Sequence, residues 1–250
     1  MKISKNQINL IRKLHQAKGR AEYKMCIAEG AKLVNELLLY FPDEITVYAL
    51  PDCMQKLHIP GNKNHQLCSV DELELSKISA LKNPPGILAT IPIPIFSSEP
   101  GLSEKILWLD GIRDPGNMGT LIRTAEWFGF GEIWCTSGCV DPFSPKVIQS
   151  AMGSVFRLPA FSLNHEQLNR LCSKEGRIVF GADTDGEDCK KFDKVKRFSL
   201  LIGNEGQGIS ESVQPYITKK ISVPKRLQSP FPESLNAASA ASILMFSLTS

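Results

Sequence analysis

Three short segments gather side chains able to handle a ligand, and each follows directly on an apolar run. In Asp110-Gly-Ile-Arg-Asp-Pro-Gly-Asn-Met-Gly-Thr-Leu-Ile-Arg-Thr-Ala125, Asn117 sits where an N-cap belongs and Arg123 falls in the second helical turn, while Gly116 and Gly119 allow close backbone approach. Taken alone, that segment also describes a capped helix with a solvated arginine. Leu200-Leu-Ile-Gly-Asn-Glu-Gly-Gln-Gly208 opens a buried run into a loop of three glycines around one carboxylate, Glu205. Such turns cradle ligands with backbone N–H groups, yet this one lacks both the Walker Lys-Ser/Thr and the G-x-G-x-x-G phosphate fingerprint. The third segment runs from Ile221-Ser-Val-Pro224 to Glu233-Ser-Leu-Asn-Ala-Ala-Ser, where Ser234 or its neighbour is placed to cap a helix dense in Ala and Ser.

The elements that must position these loops alternate strand with helix. Strands are expected at 106–109, 132–135, 177–181, 198–202 and 220–223, and helices at 118–128 and 235–248. This rhythm predicts a layered α/β domain with parallel pairing, in which ligands bind beyond the carboxyl ends of the strands. Upstream, a basic helix leads to a strand at 25–28, a helix at 31–39, a strand at 45–50 and a short helix at 71–79. Between the two halves, Ile91-Pro-Ile-Pro-Ile-Phe-Ser-Ser-Glu-Pro-Gly101 has a composition that continues neither a helix nor a central strand, so the domain boundary is expected there.

Composition narrows the class. The chain has 250 residues, 42% of them hydrophobic and 22% charged, enough to bury a core, with no fibrous or solenoid repeat. Its longer apolar runs, such as Ile106–Leu109 and Ile243–Phe246, fall far short of the roughly 20 residues that span a bilayer, so no membrane segment is expected. Seven scattered cysteines, without a C-x-x-C pair or a zinc-spaced His, point to free thiols, no metal and a cytoplasmic location. Net charge is only +3, so attraction to polyanions has to come from local patches. Lys2, Lys5, Arg12, Lys13, Lys18, Arg20 and Lys24 against Glu22 form one such patch.

Together, Asn117-Met-Gly-Thr-Leu-Ile-Arg-Thr-Ala125, Ile202-Gly-Asn-Glu-Gly206 and Val223-Pro224 with Glu233-Ser-Leu-Asn236 resemble the SpoU (TrmH-like) branch of the SPOUT methyltransferases. Ile27-Ala-Glu-Gly-Ala-Lys-Leu-Val-Asn-Glu36 resembles the small α/β, L30e-like substrate-binding domain that accompanies several members. The resemblance implies transfer of a methyl group from S-adenosylmethionine to a ribose 2′-hydroxyl of RNA, with ribosomal RNA favoured. Transfer RNA, or a non-catalytic RNA-binding member of the fold, are the alternatives. It further implies residues 1–92 as substrate-binding domain, 93–104 as linker and 105–250 as a methyltransferase domain with a deep trefoil knot, assembled as a homodimer with the active site at the interface. The catalytic set would be Asn117, Arg123, Glu205, Ser234 and Asn236; the cofactor would be held by Ala182, Asp183, Gly203, Val223 and Leu235.

One departure stands out. The stretch from Val223 to Ser234 is about three residues longer than the family spacing, and its Lys225-Arg226 pair fits either substrate phosphates or plain solvation. Arg123 also poses a chemical problem, because a guanidinium has five donors and no acceptor. Its expected task is to bind phosphate and hydroxyl oxygens, leaving the proton to a polarised phosphate, a water or an unusually perturbed arginine.

Overall fold

A computed structural model describes residues 2–40, 45–59, 66–96, 99–192, 195–225 and 233–250. The chain divides into two compact units: Met1–Ile95 with Asp141–Phe156, and Phe96–Val140 with Arg157–Ser250. Among the described residues no helix is long and apolar enough to cross a membrane, and no group of three His, Cys, Asp or Glu side chains is placed to hold a metal.

In the first unit, α1 (Lys5–Leu14) and α2 (Ala17–Tyr23) precede β1 (Met25–Glu29), α3 (Ala31–Tyr40), β2 (Thr46–Ala49), α4 (Pro51–Met54), β3 (Gln66–Ser69), α5 (Glu72–Ile78) and β4 (Ile87–Pro92). The sheet order is β1-β4-β2-β3, with only the β2–β3 pair parallel. Ser4 and Gln7 form a capping box that starts α1, which buries Ile11 and Leu14 beneath its polar face. β4 corrects the sequence reading. It is a central strand running to Pro92, whose missing N–H is tolerated because it faces the β2 side, where pairing has already ended at Thr90, while Ile93 still donates to the Lys24 carbonyl at 2.8 Å.

Arg20 is also not where its charge suggested. Only 4% exposed, it is paired with Asp141 at 2.6 Å and donates to the Leu14 carbonyl at 2.8 Å, so it is withdrawn from the basic surface. That contact fastens the segment carrying α7 (Pro145–Ala151) within this unit.

The second unit contains β5 (Lys105–Leu109), α6 (Pro115–Trp127), β6 (Glu132–Cys135), β7 (Ala160–Ser162), α8 (His165–Glu175), β8 (Ile178–Asp188), β9 (Phe198–Ile202), β10 (Lys219–Ser222) and α9 (Ala237–Thr249). All neighbours in the order β10-β8-β9-β5-β6-β7 are parallel, as the alternating pattern predicts. β5 and β9 are buried nearly throughout, as expected for strands covered on both faces. Trp108 packs edge-on against Trp134 with centroids 5.5 Å apart. The order reverses between β5 and β9, which leaves a crevice at their carboxyl ends.

Candidate active site

The loops beyond β5, β6 and β9 are tied together by one buried carboxylate. Asp110, 5% exposed at the end of β5, accepts from the Thr136 hydroxyl at 2.6 Å and the Ser210 N–H at 2.7 Å. Four residues on, Asp114 is the true N-cap of α6, accepting from the Asn117 N–H at 2.8 Å, with Pro115 at the first helical position. The expectation that Asn117 caps this helix is therefore corrected. Its side chain, relieved of capping, points to other partners.

Loop 203–209 is shaped by Asn204, which the sequence reading passed over. Its Oδ1 accepts from the Gly206 and Gln207 N–H groups at 2.9 and 3.1 Å, and its Nδ2 donates to the Gly111 carbonyl at 2.8 Å. Gly203 lies so close to the returning end of the loop that a Cβ would meet the Gly208 carbonyl carbon at 2.4 Å and the Ile209 nitrogen at 2.5 Å. That turn holds Glu205 exposed at the mouth of the crevice.

Three segments then meet through side chains. Asn236, and not Ser234, caps α9: its Oδ1 accepts from the Ala238 and Ser239 N–H groups at 3.0 and 3.3 Å. The capping fixes the Asn236 amide, so its Nδ2 faces outward and donates to Asn117 Oδ1 at 3.0 Å. Asn117 is oriented in turn, and its Nδ2 donates to Glu205 Oε1 at 2.5 Å. The backbone of one helix thereby dictates, through two amides, where a carboxylate on another loop is held.

Beside Glu205 opens a cavity of about 690 Å³. All five expected cofactor residues line it, Ala182, Asp183, Gly203, Val223 and Leu235, as do Glu205 and Ser234. Its wall is shaped by an irregularity in β8: pairing with β10 passes from Gly181↔Lys220 to Glu187↔Ile221, so residues 182–186 loop out toward the space. Gly186 permits this, because a Cβ there would lie 2.5–2.7 Å from the Ile221 backbone. Asp183 is held by Lys220 at 2.8 Å, and this hydrogen-bonded ion pair keeps its carboxyl below the ordinary aspartate value. Lys220 had no local signal to announce it. Asn204 did, as an Asx-turn former between Gly203 and Glu205.

Arg123 does not join this group. It lies six residues beyond Asn117, about 9 Å along the helix and about 120° around it, exposed and without a hydrogen bond or ion pair among the described residues. Of the Lys225-Arg226 pair, Lys225 lines the cavity and Arg226 lies outside the described residues. The size and walls suit the cofactor expected above. Ile202, Ile209, Ile221 and Leu244 offer apolar surface for a flat base, and Asp183, Glu205 and Glu233 offer carboxylates to a cationic, hydroxyl-bearing ligand.

Comparison with known proteins identifies the family. Residues 104–246 match the model of the SpoU rRNA Methylase family, and residues 5–89 that of the MRM3-like substrate binding domain. The 23S rRNA (guanosine(2553)-2′-O)-methyltransferase RlmP of Bacillus subtilis is 30% identical over 240 residues, covering 95% of this chain and 93% of the relative. A solved structure from Porphyromonas gingivalis assigned to the TrmH family superposes with a TM-score of 0.85 at 32% identity, covering 99% of this chain and 98% of the other. An AdoMet-bound rRNA methyltransferase from Sinorhizobium meliloti gives 0.80 at 30% identity, covering 99% and 95%.

Proposed function

Because the chain belongs to the SpoU rRNA methylase family, we propose that it methylates a ribose 2′-hydroxyl in ribosomal RNA, with S-adenosylmethionine as donor. The observation that carries this reading is the series Asn236–Asn117–Glu205, which joins three distant segments at the mouth of one cavity. The Bacillus subtilis relative supports both the ribosomal substrate and the 2′-oxygen. When bound, S-adenosylmethionine supplies an electrophilic methyl group on a sulfonium centre. Residues around Ala182, Gly203, Val223 and Leu235 would hold it largely through backbone groups, and Glu205 and Ser234 would line the side where the ribose enters.

Arg123 then acts as a positioning group for phosphate and hydroxyl oxygens, since guanidinium carries no acceptor for the departing proton. Its place on the outer flank of α6 is reconciled by a homodimer in which it reaches the cavity of a second copy. Exposed Trp127, Ile243 and Phe246, 84%, 42% and 62% accessible on α6 and α9, support that interface. The same reading carries the trefoil knot in the carboxy-terminal unit, a division into residues 1–92, 93–104 and 105–250, and a cytoplasmic location. Transfer of labelled methyl to rRNA, with the product ribose mapped, tests the activity. Arg123→Ala should abolish turnover while cofactor affinity and folding stay near native, and near-native turnover would remove Arg123 from the reaction.

A further inference from the structure

The first unit carries a cleft of its own, about 710 Å³ in volume, formed by Asn6, Asn9, Leu10, Arg12 and Lys13 of α1 with Gln16 and Tyr23. At about 100° per residue the polar α1 members Asn6, Asn9, Arg12 and Lys13 fall within one stripe roughly 120° wide, opposite the buried Ile11 and Leu14, with half-buried Leu10 at its edge and Gln16 beyond the helix end. No carboxylate lines the cleft; Glu22 is the acid whose field reaches Lys13. Lys13 and Tyr23 meet at the surface of the cleft, with Nζ donating to the phenol oxygen at 2.7 Å. The amides of Asn6, Asn9 and Gln16 and the Arg12 guanidinium make no hydrogen bond or ion pair among the described residues. A plain solvated helix face has no need of three such amides interleaved with cations over a concavity.

We propose that this cleft is a docking subsite for an unpaired stretch of the RNA substrate, with phosphate on Arg12 and base edges on the amides of Asn6, Asn9 and Gln16. The inference rests on the reading of RNA as substrate and locates where the first unit grips it. Side-chain amides carry donor and acceptor together, as base edges do, and in RNA those edges are open to a protein chiefly where the strand is unpaired. Cations alone would serve a duplex backbone equally well.

The full chain is titrated by fluorescence anisotropy with a labelled RNA hairpin bearing an unpaired loop and with a blunt RNA duplex. The combined Asn6→Ala, Asn9→Ala variant, which favours helix and leaves the core untouched, should lose about tenfold or more in affinity for the hairpin and under twofold for the duplex. Arg12→Ala should weaken both and reduce the salt slope of log K by about 0.7 to 0.9. Native-like hairpin binding by the amide variant, or equal loss on both RNAs, overturns the proposal, as does failure of the native chain to bind the hairpin at low salt. A native chain that shows this pattern yet methylates no rRNA overturns the functional reading and leaves the cleft standing.

Discussion

Asn236 serves two masters, and one substitution separates them. In Asn236→Asp the carboxylate still accepts from the Ala238 and Ser239 N–H groups, so the cap on α9, worth about 1 kcal/mol, is kept. What disappears is the Nδ2 donor that now meets Asn117 Oδ1 at 3.0 Å. Facing a carboxylate, Asn117 turns its amide over and presents Oδ1 to Glu205, replacing the 2.5 Å charge-assisted bond by a repulsion. A hydrogen bond to a charged group is worth about 1.5–3 kcal/mol, which corresponds to a loss of roughly 10- to 150-fold in kcat/KM if Glu205 must hold its position in the transition state. Asn236→Ala should lose activity and the cap together. Methyl transfer to rRNA measured beside thermal denaturation distinguishes the two variants: the Asp variant should melt near the native temperature and be slow, the Ala variant should be both slow and less stable. An Asp variant within twofold of native activity refutes the orienting series.

Three further outcomes follow from particular contacts. Arg20→Met leaves Asp141 without its partner, and removal of one member of a buried pair is expected to lower stability by about 3 kcal/mol, the low end of the usual range because Asp141 is 32% exposed; urea denaturation showing less than about 0.5 kcal/mol would contradict the role given to this pair. Burial pushes the Glu132 carboxyl above the ordinary glutamate value, with the Gly101 N–H at 2.8 Å opposing the shift. A raised folded value means that the native state holds the proton more tightly than the unfolded chain, so this group's contribution falls as pH rises from the ordinary glutamate range through the raised value. Glu132→Gln should then gain in melting temperature over native near about pH 7 and not near about pH 4, and an equal difference at both would count against the shift. Gly203→Ala drives a methyl into the Gly208 and Ile209 backbone, so calorimetry should record at least about a tenfold loss of cofactor affinity alongside about 1–3 kcal/mol of destabilisation; native affinity would show that the loop yields.

The alternating strands, the parallel sheet and the three loops were legible because apolar runs, glycines and polar clusters are local signals. Ser4 with Gln7 and Asp114 with Pro115 are likewise written in adjacent residues, although Asn117 drew the cap assignment that belonged to Asp114. What could not be read was pairing across the chain. Arg20 looks like its cationic neighbours until Asp141, 121 positions away, is placed beside it. Lys220 reaches Asp183 only because β8 departs from its register, and Asn117 meets Glu205 across 88 residues. Pro92 misled for the opposite reason: a residue that usually breaks strands sits at the terminus of a central one.

The strand order has a bearing on how the molecule is made. β9 lies between β5 and β8, yet it leaves the ribosome after both, so the middle of the sheet is supplied late in synthesis. Until residues 198–202 emerge, β5 can pair only with β6 and β8 has neither of its neighbours, so each carries an open hydrogen-bonding edge. Such long-range closure is slow, and it leaves newborn chains sticky. Truncations before Phe198 should therefore aggregate, whereas full-length chains escape that fate by inserting the missing central strand.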